Sequence, residues 1–427
     1  MQDIIPPPGW QKPKRPKPQP MRSLRLRGQS VDDARNRLRA RRTLPEAKID
    51  ETIALDVPEK PAGAKKRRFG WWRKLNRNLR FAIIALALLL FGAGAFLFYN
   101  HFNAAGSPSY SFIKHKPKKA APKTVASPLT GVQVDPTLAA RPVTGIMIEN
   151  SDFARPQSGL QDAGVVYEAI AEAGITRFLA LFQDASPQYI GPVRSLRPYY
   201  IDYAAPFQAS IVHVGGSPDA LSEVESGGFR NLDEFAYGSY FTRISARDAP
   251  HNVYTSFAEL DKLNQAKGYT SSSFTSWPRK ADKKLATPTA GTIDFAISSP
   301  DYYAHYDYDA KTNSYLRSEG GSPHLDLVSA TDTTGVQLDP KIVIAIVVPQ
   351  SLGVLDASGA YYTDYADSGS GAAYIFQDGG VTVGQWSKGG TTDQIKFTDD
   401  AGNPIKLNTG QTWITLVGSD GEVSYKP

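Results

Sequence analysis

The sequence predicts one N-terminal transmembrane helix, then an α+β or α/β domain with helices on a mixed sheet, and last a mostly β domain. Three observations lead to this fold class. An uncharged apolar run covers residues 81–99, strand and helix signals alternate over residues 130–284, and short strand signals with Gly-rich turns fill residues 289–427. The chain has 427 residues, 41% of them hydrophobic, which is enough for two domains with their own cores.

Composition excludes several kinds of chemistry and shows that the charge is uneven. The sequence contains no cysteine, which excludes disulfides, thiolate metal sites, a cysteine nucleophile and a lipid-modified cysteine anchor. The first 80 residues hold 22 Lys and Arg against 8 Asp and Glu, whereas the remainder holds 26 against 34. The formal net charge of +6 therefore describes neither part of the chain.

Residues 1–80 are predicted to form a basic, disordered cytoplasmic region. The run PPPGWQKPKRPKPQP is rich in proline and basic residues, and it cannot bury enough apolar surface to offset the entropy lost on ordering. Clustered arginine fits a solvated segment near an anionic membrane, and also binding to nucleic acid or to a cytoplasmic partner. No nucleic-acid binding is expected of the soluble part of the chain.

Residues 81–99, FAIIALALLLFGAGAFLFY, predict the transmembrane helix, because a helix needs roughly 20 apolar residues to cross the hydrocarbon core. Eight basic residues crowd the N-terminal side of this run, and Trp71 and Trp72 occupy the interfacial position. The positive-inside rule then places the N-terminus in the cytoplasm and the rest of the chain outside it. The expected localisation is the cell membrane, which the chain crosses once through an uncleaved signal-anchor.

The chain after the helix begins with a Lys/Pro/Ala linker, residues 100–129, which is expected to be extended. In the α/β domain that follows, residues 142–148 predict a strand. Residues 164–182 predict two strands joined at Glu172-Ala-Gly174, where glycine supplies the turn. A helix is the alternative for the first of the two, because the segment EAIAEA has high helix propensity.

Helices are predicted at residues 218–226 and 256–267, with Ser217 and Ser256 as N-caps. Between the strands and these helices, residues 191–217 concentrate polar chemistry. In that stretch two arginines and a histidine accompany two glycines.

Arg194 and Arg197 bracket Ser195 at a predicted helix start, which would place both guanidinium groups on one helix face, suited to a carboxylate or phosphate. His213 then lies in a short apolar strand that leads into Gly215-Gly216 and a helix. A strand end, glycines and a helix N-terminus often bind anionic groups in α/β proteins. The stretch therefore predicts a polar, arginine-rich cleft.

Ten short motifs resemble a known family, the YerB-like extracytoplasmic bacterial proteins, which are lipoproteins with domains of unknown function. The stronger motifs are RPQSGL at 155–160, YE at 167–168, EAGITRF at 172–178, GPVRSLRP at 191–198, HVGGS at 213–217 and APHNVY at 249–254. The weaker ones are YLR at 315–317, HLD at 324–326, GQWSK at 384–388 and GQTW at 410–413.

This resemblance implies an N-terminal and a C-terminal family domain, here residues 130–284 and 289–427, and a location in the cell envelope. It implies no established reaction. The chain departs from the lipoprotein pattern, because a signal-anchor stands in place of the lipidated cysteine. The anchoring mode should therefore differ, whereas the soluble part should share the family's fold.

Nine residues in or beside the motifs are candidates for ligand binding: Arg155, Glu168, Arg177, Arg194, Ser195, Arg197, His213, His251 and Asn252. Our central hypothesis is that Arg155 and His251 join Arg194 and Arg197 in one cleft that binds a carboxylate or phosphate. The alternative for each candidate is structural, with arginines in ion pairs or bonded to carbonyls and histidines satisfied by backbone.

No catalytic residue, cofactor or metal site is predicted. His213 and His251 lack metal-ligand spacing, and no G-x-S-x-G motif supports a serine hydrolase. A paired-carboxylate site that includes Glu168 and Glu172 stays open as an alternative.

The mostly β domain, residues 289–427, contains at least five strand signals separated by turn sequences: residues 292–297, 342–348, 372–376, 394–397 and 412–417. Its tyrosines could form an exposed face that stacks on glycan. The alternative, which is the more common role of such residues, is that they fill the core and the surfaces of strands. The segment at 280–290 is the expected hinge, and a ligand would fit between the two lobes.

Two classes of function follow. The first is a non-catalytic, membrane-anchored envelope protein that binds a cell-wall fragment, an anionic polymer or a wall-synthesis partner. The second is an envelope hydrolase or transferase that acts on glycan or peptide with Glu and His chemistry.

Overall fold

The computed structural model describes residues 76–104, 123–356 and 359–427. Residues 1–75 of the predicted disordered region and residues 105–122 of the predicted linker lie outside the described residues. The chain consists of two units, Met1–Ile113 and Lys114–Pro427.

Helix α1 (Arg77–Ala104) is the described element of the first unit and contains the predicted apolar run. Its residues Arg77–His101 are long and apolar enough to cross a membrane, by length and composition. At about 1.5 Å per residue these 25 residues span about 37 Å, against about 30 Å of hydrocarbon core. Apolar side chains along the helix are exposed, Phe91 by 79%. The prediction of an apolar helix at this position is confirmed.

The described part of the second unit contains five α-helices and five short 3₁₀ turns. The helices are α2 (Pro136–Ala139), α3 (Pro198–Ala204), α4 (Pro218–Ser226), α5 (Glu234–Tyr237) and α6 (Phe257–Ala266). The turns are Asp152–Ala154, Ala205–Phe207, Gly238–Tyr240, Pro300–Tyr302 and Asp420–Glu422. Ser217 caps α4 and Ser256 caps α6 through their side-chain oxygens, as the sequence predicts.

A ten-stranded mixed sheet is the main element of this unit. Its strands, in spatial order, are β21 (Lys396–Thr398), β20 (Gly380–Lys388), β19 (Gly369–Gln377), β16 (Ile342–Val347), β22 (Thr412–Val417), β4 (Val165–Ile170), β5 (Thr176–Phe182), β3 (Thr144–Glu149), β6 (Ser210–His213) and β7 (Arg230–Asp233). Several of these strands are continuous apolar runs, which is typical of strands covered on both faces.

Strands from both halves of the soluble sequence meet in this sheet. The junction is the parallel pair β22–β4, in which Thr412 lies opposite Val165 and Thr415 lies opposite Glu168. On one side of the junction β16 is parallel to β22, and on the other side β4 and β5 form an antiparallel hairpin. The hairpin turns at Ala173 and Gly174, both with positive φ, so the predicted two strands are confirmed and the alternative helix does not form.

A second, antiparallel sheet has five strands: β13 (Ser322–Pro323), β12 (Ser314–Glu319), β11 (Ala304–Asp309), β10 (Thr292–Phe295) and β23 (Val423–Lys426). Four two-stranded pairs complete the strands: β1 (Val125–Ala126) with β2 (Gln133–Val134), β8 (Thr242–Arg243) with β9 (Val253–Tyr254), β14 (Leu325–Asp326) with β15 (Val336–Gln337), and β17 (Gln350–Leu355) with β18 (Tyr361–Tyr365). All five strand signals of the mostly β part correspond to strands of the two large sheets.

A hydrophobic core lies on each face of the ten-stranded sheet, because successive side chains of β4 and its neighbours point to opposite faces. On one face, Tyr167 stacks on Tyr203 of α3 with ring centroids 4.6 Å apart. On the other face, Val166 and Phe178 pack with residues of α6, and Phe178 meets Trp413 edge-on at 5.3 Å. The helices and the sheet thus share two apolar layers.

A third core lies between the five-stranded sheet and strands β16, β19 and β22 of the large sheet. Tyr306 and Tyr315 are buried there against Val343 and Phe376. Of the tyrosines weighed as a glycan-stacking face, those at 302, 306, 362 and 365 are buried, so these tyrosines do not form one exposed surface.

A buried ion pair joins the two sheets. Arg317 of β12 and Glu168 of β4 are both fully buried, and Nη2 of Arg317 lies 2.9 Å from Oε1 of Glu168. The second carboxylate oxygen accepts hydrogen bonds from Nε1 of Trp413 (3.0 Å) and Oγ1 of Thr415 (3.2 Å). Burial alone would lower the pKa of the Arg317 guanidinium. Glu168 and the Tyr306 hydroxyl have the larger effect and raise this pKa above its ordinary value.

Replacing Arg317 alone should strongly destabilise the fold. Arg317→Met leaves the Glu168 carboxylate buried without its counter-charge, which costs about 3–5 kcal/mol of unfolding free energy. Chemical denaturation of the full chain in detergent, followed by circular dichroism, measures this cost. The double variant Glu168→Gln/Arg317→Met removes both charges and should recover most of it. Arg243→Met, at an arginine whose side chain is 46% exposed, is the control. A single variant as stable as the double one contradicts this role.

Asp326 of β14 holds the backbone at residues 159–161, where the motif RPQSGL ends, against the β14–β15 pair. Its carboxylate accepts backbone N–H bonds from Gly159 (3.1 Å), Leu160 (3.0 Å) and Gln161 (3.3 Å). Burial raises the pKa of this carboxyl to about 7, although the three N–H donors favour the ionised form. The folded state therefore holds a proton that the unfolded chain releases near its ordinary value of 3.8.

The stability of the fold should consequently fall as the pH rises from about 4 to about 7, because over this interval the unfolded chain binds fewer protons at Asp326 than the folded chain. Asp326→Asn removes this titration. The unfolding free energy of this variant should therefore fall less steeply with pH than that of the unchanged chain. The two slopes should differ by up to about 1.4 kcal/mol per pH unit. Denaturation curves of both proteins across this range measure the difference, and parallel profiles would contradict it.

Candidate functional site

The segment that carries Arg194, Ser195 and Arg197 is extended, not helical. Val193 forms a bridge to Ile148, and Leu196 forms a bridge to Gly216. Arg197 is the N-cap residue of α3, which begins at Pro198. The prediction that both arginines lie on one helix face is therefore wrong. A residue before proline avoids the helical region, and proline itself favours the first helical position, so the helix begins at Pro198, after both arginines.

The extended segment runs beside the carboxyl ends of β3 and β6. The backbone N–H of Arg194 bonds to the carbonyl of Met147 (2.8 Å), and that of Leu196 bonds to the carbonyl of Gly215 (3.0 Å). β3 and β6 are parallel neighbours, so their carboxyl ends lie at the same edge of the sheet. This is the edge at which open α/β sheets usually bind ligands.

Glu149, the last residue of β3, is the centre of the first charged group at this edge. Its Oε1 accepts a hydrogen bond from Oγ of Ser151 (2.9 Å) and lies 2.8 Å from Nδ1 of His251 and 3.3 Å from Nε of Arg194. The Glu149 side chain is 4% exposed, whereas that of Arg194 is 26% exposed. Oε2 of Glu149 is buried and has no hydrogen-bond partner in the described part of the chain.

Glu172, in the β4–β5 turn, is the centre of the second charged group. It pairs with Nη2 of Arg177 at 2.8 Å and with Nη2 of Arg197. Arg177 also donates through Nη1 to the carbonyl of Ser195 (2.9 Å), which fixes the extended segment. Ser195 therefore contributes its backbone to the site.

We call these residues together the arginine cluster: Glu149, Glu172, Arg177, Arg194, Arg197 and His251. Its three guanidinium groups share two carboxylates in direct ion pairs. Burial lowers the pKa of Arg194, against the attraction of Glu149 and with the repulsion of Arg177. Burial also lowers the pKa of Arg197, although Tyr199, Tyr200 and Asp356 favour its charge. Burial therefore opposes the positive charge of both arginines.

The contacts of His251 do not form a hydrolase triad. Such a triad needs the serine at one ring nitrogen and the carboxylate at the other. Here Oγ of Ser151 (3.4 Å) and Oε1 of Glu149 (2.8 Å) both approach Nδ1. The carboxylate instead orients the imidazole, as in Glu–His pairs that position a histidine for proton transfer.

The remaining predicted residues lie in other environments. Glu168 is in the core with Arg317. His213 is fully buried, with its ring nitrogens 2.8 Å from the Gly215 carbonyl and 2.9 Å from Oδ1 of Asn231. Asn252 bonds to Arg243 and to the Ile244 carbonyl. These contacts give the three residues structural partners.

Arg155 belongs to a separate neighbourhood. Its guanidinium donates to Oδ1 of Asn150 (3.1 Å) and to the carbonyl of Asp301 (3.0 Å), and it forms ion pairs with Asp152 and Glu319 at 3.5 Å. The structure thus brings together Arg177, Arg194, Arg197 and His251, and it places Arg155 beside different carboxylates.

Glu149 and Ser151, which anchor the cluster, were not among the residues predicted for the site. The fold supplies Glu149 and Glu172 as internal carboxylate partners of Arg194 and Arg197. One signal was available, since the polar run Glu149-Asn150-Ser151 directly follows a buried strand. Within the described residues, no group of three or more His, Asp or Glu side chains is arranged to hold a metal ion.

Comparison with known proteins adds three findings. Residues 129–270 match the family model described as the N-terminal domain of a protein of unknown function (DUF3048), and residues 293–414 match the model of its C-terminal domain. The "Putative lipoprotein YerB" of Bacillus subtilis (strain 168) is 31% identical over 316 residues, which cover 72% of this chain and 92% of the relative. The crystal structure of the YerB protein from Bacillus subtilis aligns with a TM-score of 0.62 at 28% identity, covering 71% of this chain and all of that one.

Proposed function

The chain belongs to the YerB-like DUF3048 family, and from this premise we propose that it is a membrane-anchored envelope protein that binds an anionic group at the arginine cluster. The family assignment confirms the resemblance seen in the sequence motifs. The ligand would be a carboxylate or phosphate of a cell-wall fragment, an anionic polymer or a wall-synthesis partner.

The location is supported by the relative and by α1. The relative's name calls it a lipoprotein, and lipoproteins are held at a membrane by a lipidated cysteine. This chain has no cysteine, and α1 offers the alternative anchor, with eight basic residues before its apolar run. A single crossing with the soluble part outside the cytoplasm is therefore the proposed topology.

The observation that carries the binding proposal is the charge balance of the arginine cluster. Three guanidinium groups and a histidine share two carboxylates at the sheet edge, and burial lowers the pKa of Arg194 and Arg197. Guanidinium groups bind carboxylate and phosphate through paired N–H donors. Arg194 and Glu172 are each more than a quarter exposed, so the cluster is accessible to a ligand.

Arg194→Lys should weaken anion binding while it preserves the fold, because lysine keeps a charge near Glu149 but loses the guanidinium fork. We expect the dissociation constant to rise about tenfold or more, as the loss of a charged hydrogen bond implies. The full chain in detergent is titrated with a glycerol-phosphate polymer, with polygalacturonate and with neutral dextran, and the thermal midpoint of each variant is recorded.

Arg243→Lys is the matched control, since Arg243 also pairs with a glutamate but lies outside the cluster. Its affinity for either anionic polymer should stay unchanged. If Arg194→Lys lowers the thermal midpoint and leaves the affinity intact, the cluster is structural and the binding proposal fails. Preference for the phosphate or the carboxylate polymer identifies the ligand class.

One observation favours a second candidate function, an envelope hydrolase or transferase. The Glu149–His251 pair at 2.8 Å is the arrangement that a general acid or base requires. Incubation of the full chain with isolated cell wall separates the two candidates. Saturable binding without soluble products supports the binder, whereas product release that Glu149→Gln abolishes supports the enzyme.

The topology gives a further expected result. In intact, wall-stripped cells, added protease should remove a C-terminal epitope tag and leave an N-terminal tag protected, because the basic flank of α1 stays in the cytoplasm. Immunoblots of both tags measure this. Permeabilised cells provide the control, in which both tags are lost. A C-terminal tag that survives in intact cells would refute the proposed orientation.

A further inference from the structure

A second polar site lies in a cavity of about 370 Å³, away from the residues of the arginine cluster. It is bounded by the 3₁₀ turn Asp152–Ala154, by Asp301 and by the end of β12 with the residues that follow. Three acidic residues, Asp152, Asp301 and Glu319, line it together with one arginine, Arg155. We call this cavity the acidic pocket.

Glu319, which lines the acidic pocket, is 4% exposed and has one oxygen without a hydrogen bond. Its Oε1 accepts a bond from Nδ2 of Asn150 (2.7 Å) and lies 3.5 Å from Nη2 of Arg317. Oε2 has no donor within the described residues. A buried carboxylate oxygen without a donor is costly, so it calls for a partner from outside the chain.

The two nitrogens nearest to Oε2 cannot supply that partner. Nε of Arg155 lies 3.5 Å away, but its single hydrogen is donated to Oδ1 of Asn150. Nδ1 of His324 lies 3.4 Å away, but it accepts a bond from Nε of Arg317 and so carries no hydrogen. The remaining His324 nitrogen bonds to Gln157. When Glu319 is ionised, its Oε2 therefore has no donor from these two side chains, and a ligand could supply one.

The chemistry of the pocket selects a cationic donor. Ionised carboxylates only accept hydrogen bonds, and with all three acidic residues ionised against one guanidinium the pocket has a formal charge of −2. Arg155 is held at the wall by Asn150, by the Asp301 carbonyl and by the Tyr302 ring, whose centroid lies 5.0 Å away. An anion in the pocket would be repelled by its carboxylates. Among the described residues, no group of three or more His, Asp or Glu side chains is arranged to hold a metal ion.

We propose that the acidic pocket binds a primary ammonium group, with one N–H donated to Oε2 of Glu319 and with Asp152 and Asp301 at the mouth. The apolar side chains of Pro156, Pro323 and Leu325 also line the pocket and would contact a short methylene chain. The ligand is thus an alkylammonium, either as a free small molecule or as the amine of a polymer.

Proton linkage follows from the position of Glu319. Burial, with a smaller contribution from Glu168, raises the pKa of its carboxyl to about 7, although Arg317 opposes this. A bound ammonium favours the ionised carboxylate. Binding should therefore release a proton near pH 6 to 7, and the affinity should rise with pH up to about 8, where alkylamines are still protonated.

The test titrates the full chain in detergent with pentane-1,5-diamine and with its uncharged analogue pentane-1,5-diol by calorimetry. The diamine should bind and the diol should not. Glu319→Gln keeps the contacts of Oε1 but places an amide N–H₂ opposite the ligand, so it should weaken diamine binding at least tenfold. Two buffers of different ionisation enthalpy report the released proton, which should disappear in this variant.

Asp301→Asn provides a second variant at an exposed position, so the test does not depend on the folding of Glu319→Gln. It should weaken diamine binding several-fold. Asp307→Asn, at an exposed carboxylate of the same five-stranded sheet outside the pocket, should have no effect. Thermal midpoints establish that each variant is folded.

Aminated dextran distinguishes the two sources of the amine. Tighter binding of the free diamine than of the aminated polymer supports a small-molecule ligand, and the reverse supports a polymer-borne amine, provided that Glu319→Gln weakens both. Equal binding of diamine and diol overturns the proposal. So does diamine binding that Glu319→Gln and Asp301→Asn leave unchanged, because the amine would then adsorb elsewhere.

Discussion

The buried pair of Arg317 and Glu168 is the interaction on which the arrangement of the soluble unit depends. Two charges are taken out of water between two sheets, and such a pair is tolerated only where its geometry is good and its other polar atoms are satisfied. Both conditions are met, because Trp413 and Thr415 donate hydrogen bonds to the Glu168 carboxylate and His324 accepts one from the Arg317 guanidinium. The ring of Trp413 also lies 4.5 Å from the guanidinium carbon.

This pair fixes the register of three strands that are far apart in the sequence. Glu168 belongs to β4, Trp413 and Thr415 belong to β22, and Arg317 belongs to β12. A shift by one residue in either sheet would turn one of these side chains to the opposite face and leave a charge buried alone. The parallel pairing of β22 with β4, which makes one sheet of both halves, is therefore tied to the polar contacts above it.

Two buried glutamates, each with one oxygen that has no partner among the described residues, mark the two proposed sites. Glu149 ends β3 in the arginine cluster, and Glu319 ends β12 in the acidic pocket. Asn150 connects them, since it follows Glu149 in the chain and donates to Glu319 at 2.7 Å. The two sites have opposite charge excess, which suits a ligand or a polymer that carries both anionic and ammonium groups.

Local patterns in the sequence determined the apolar helix, the β4–β5 hairpin, the caps at Ser217 and Ser256 and most strand positions. These features depend on residues within one turn or one strand, so periodicity, glycine and capping side chains suffice to predict them. The extended state of Arg194 and Arg197 was missed, because their backbone bonds go to Met147 and Gly215 on distant strands. Only the tertiary structure decided the carboxylate partners of Arg194, Arg197 and Arg317. Glu168 and Arg317 are 149 positions apart, and the choice between an external anion and an internal glutamate depends on strand order, which no local pattern encodes.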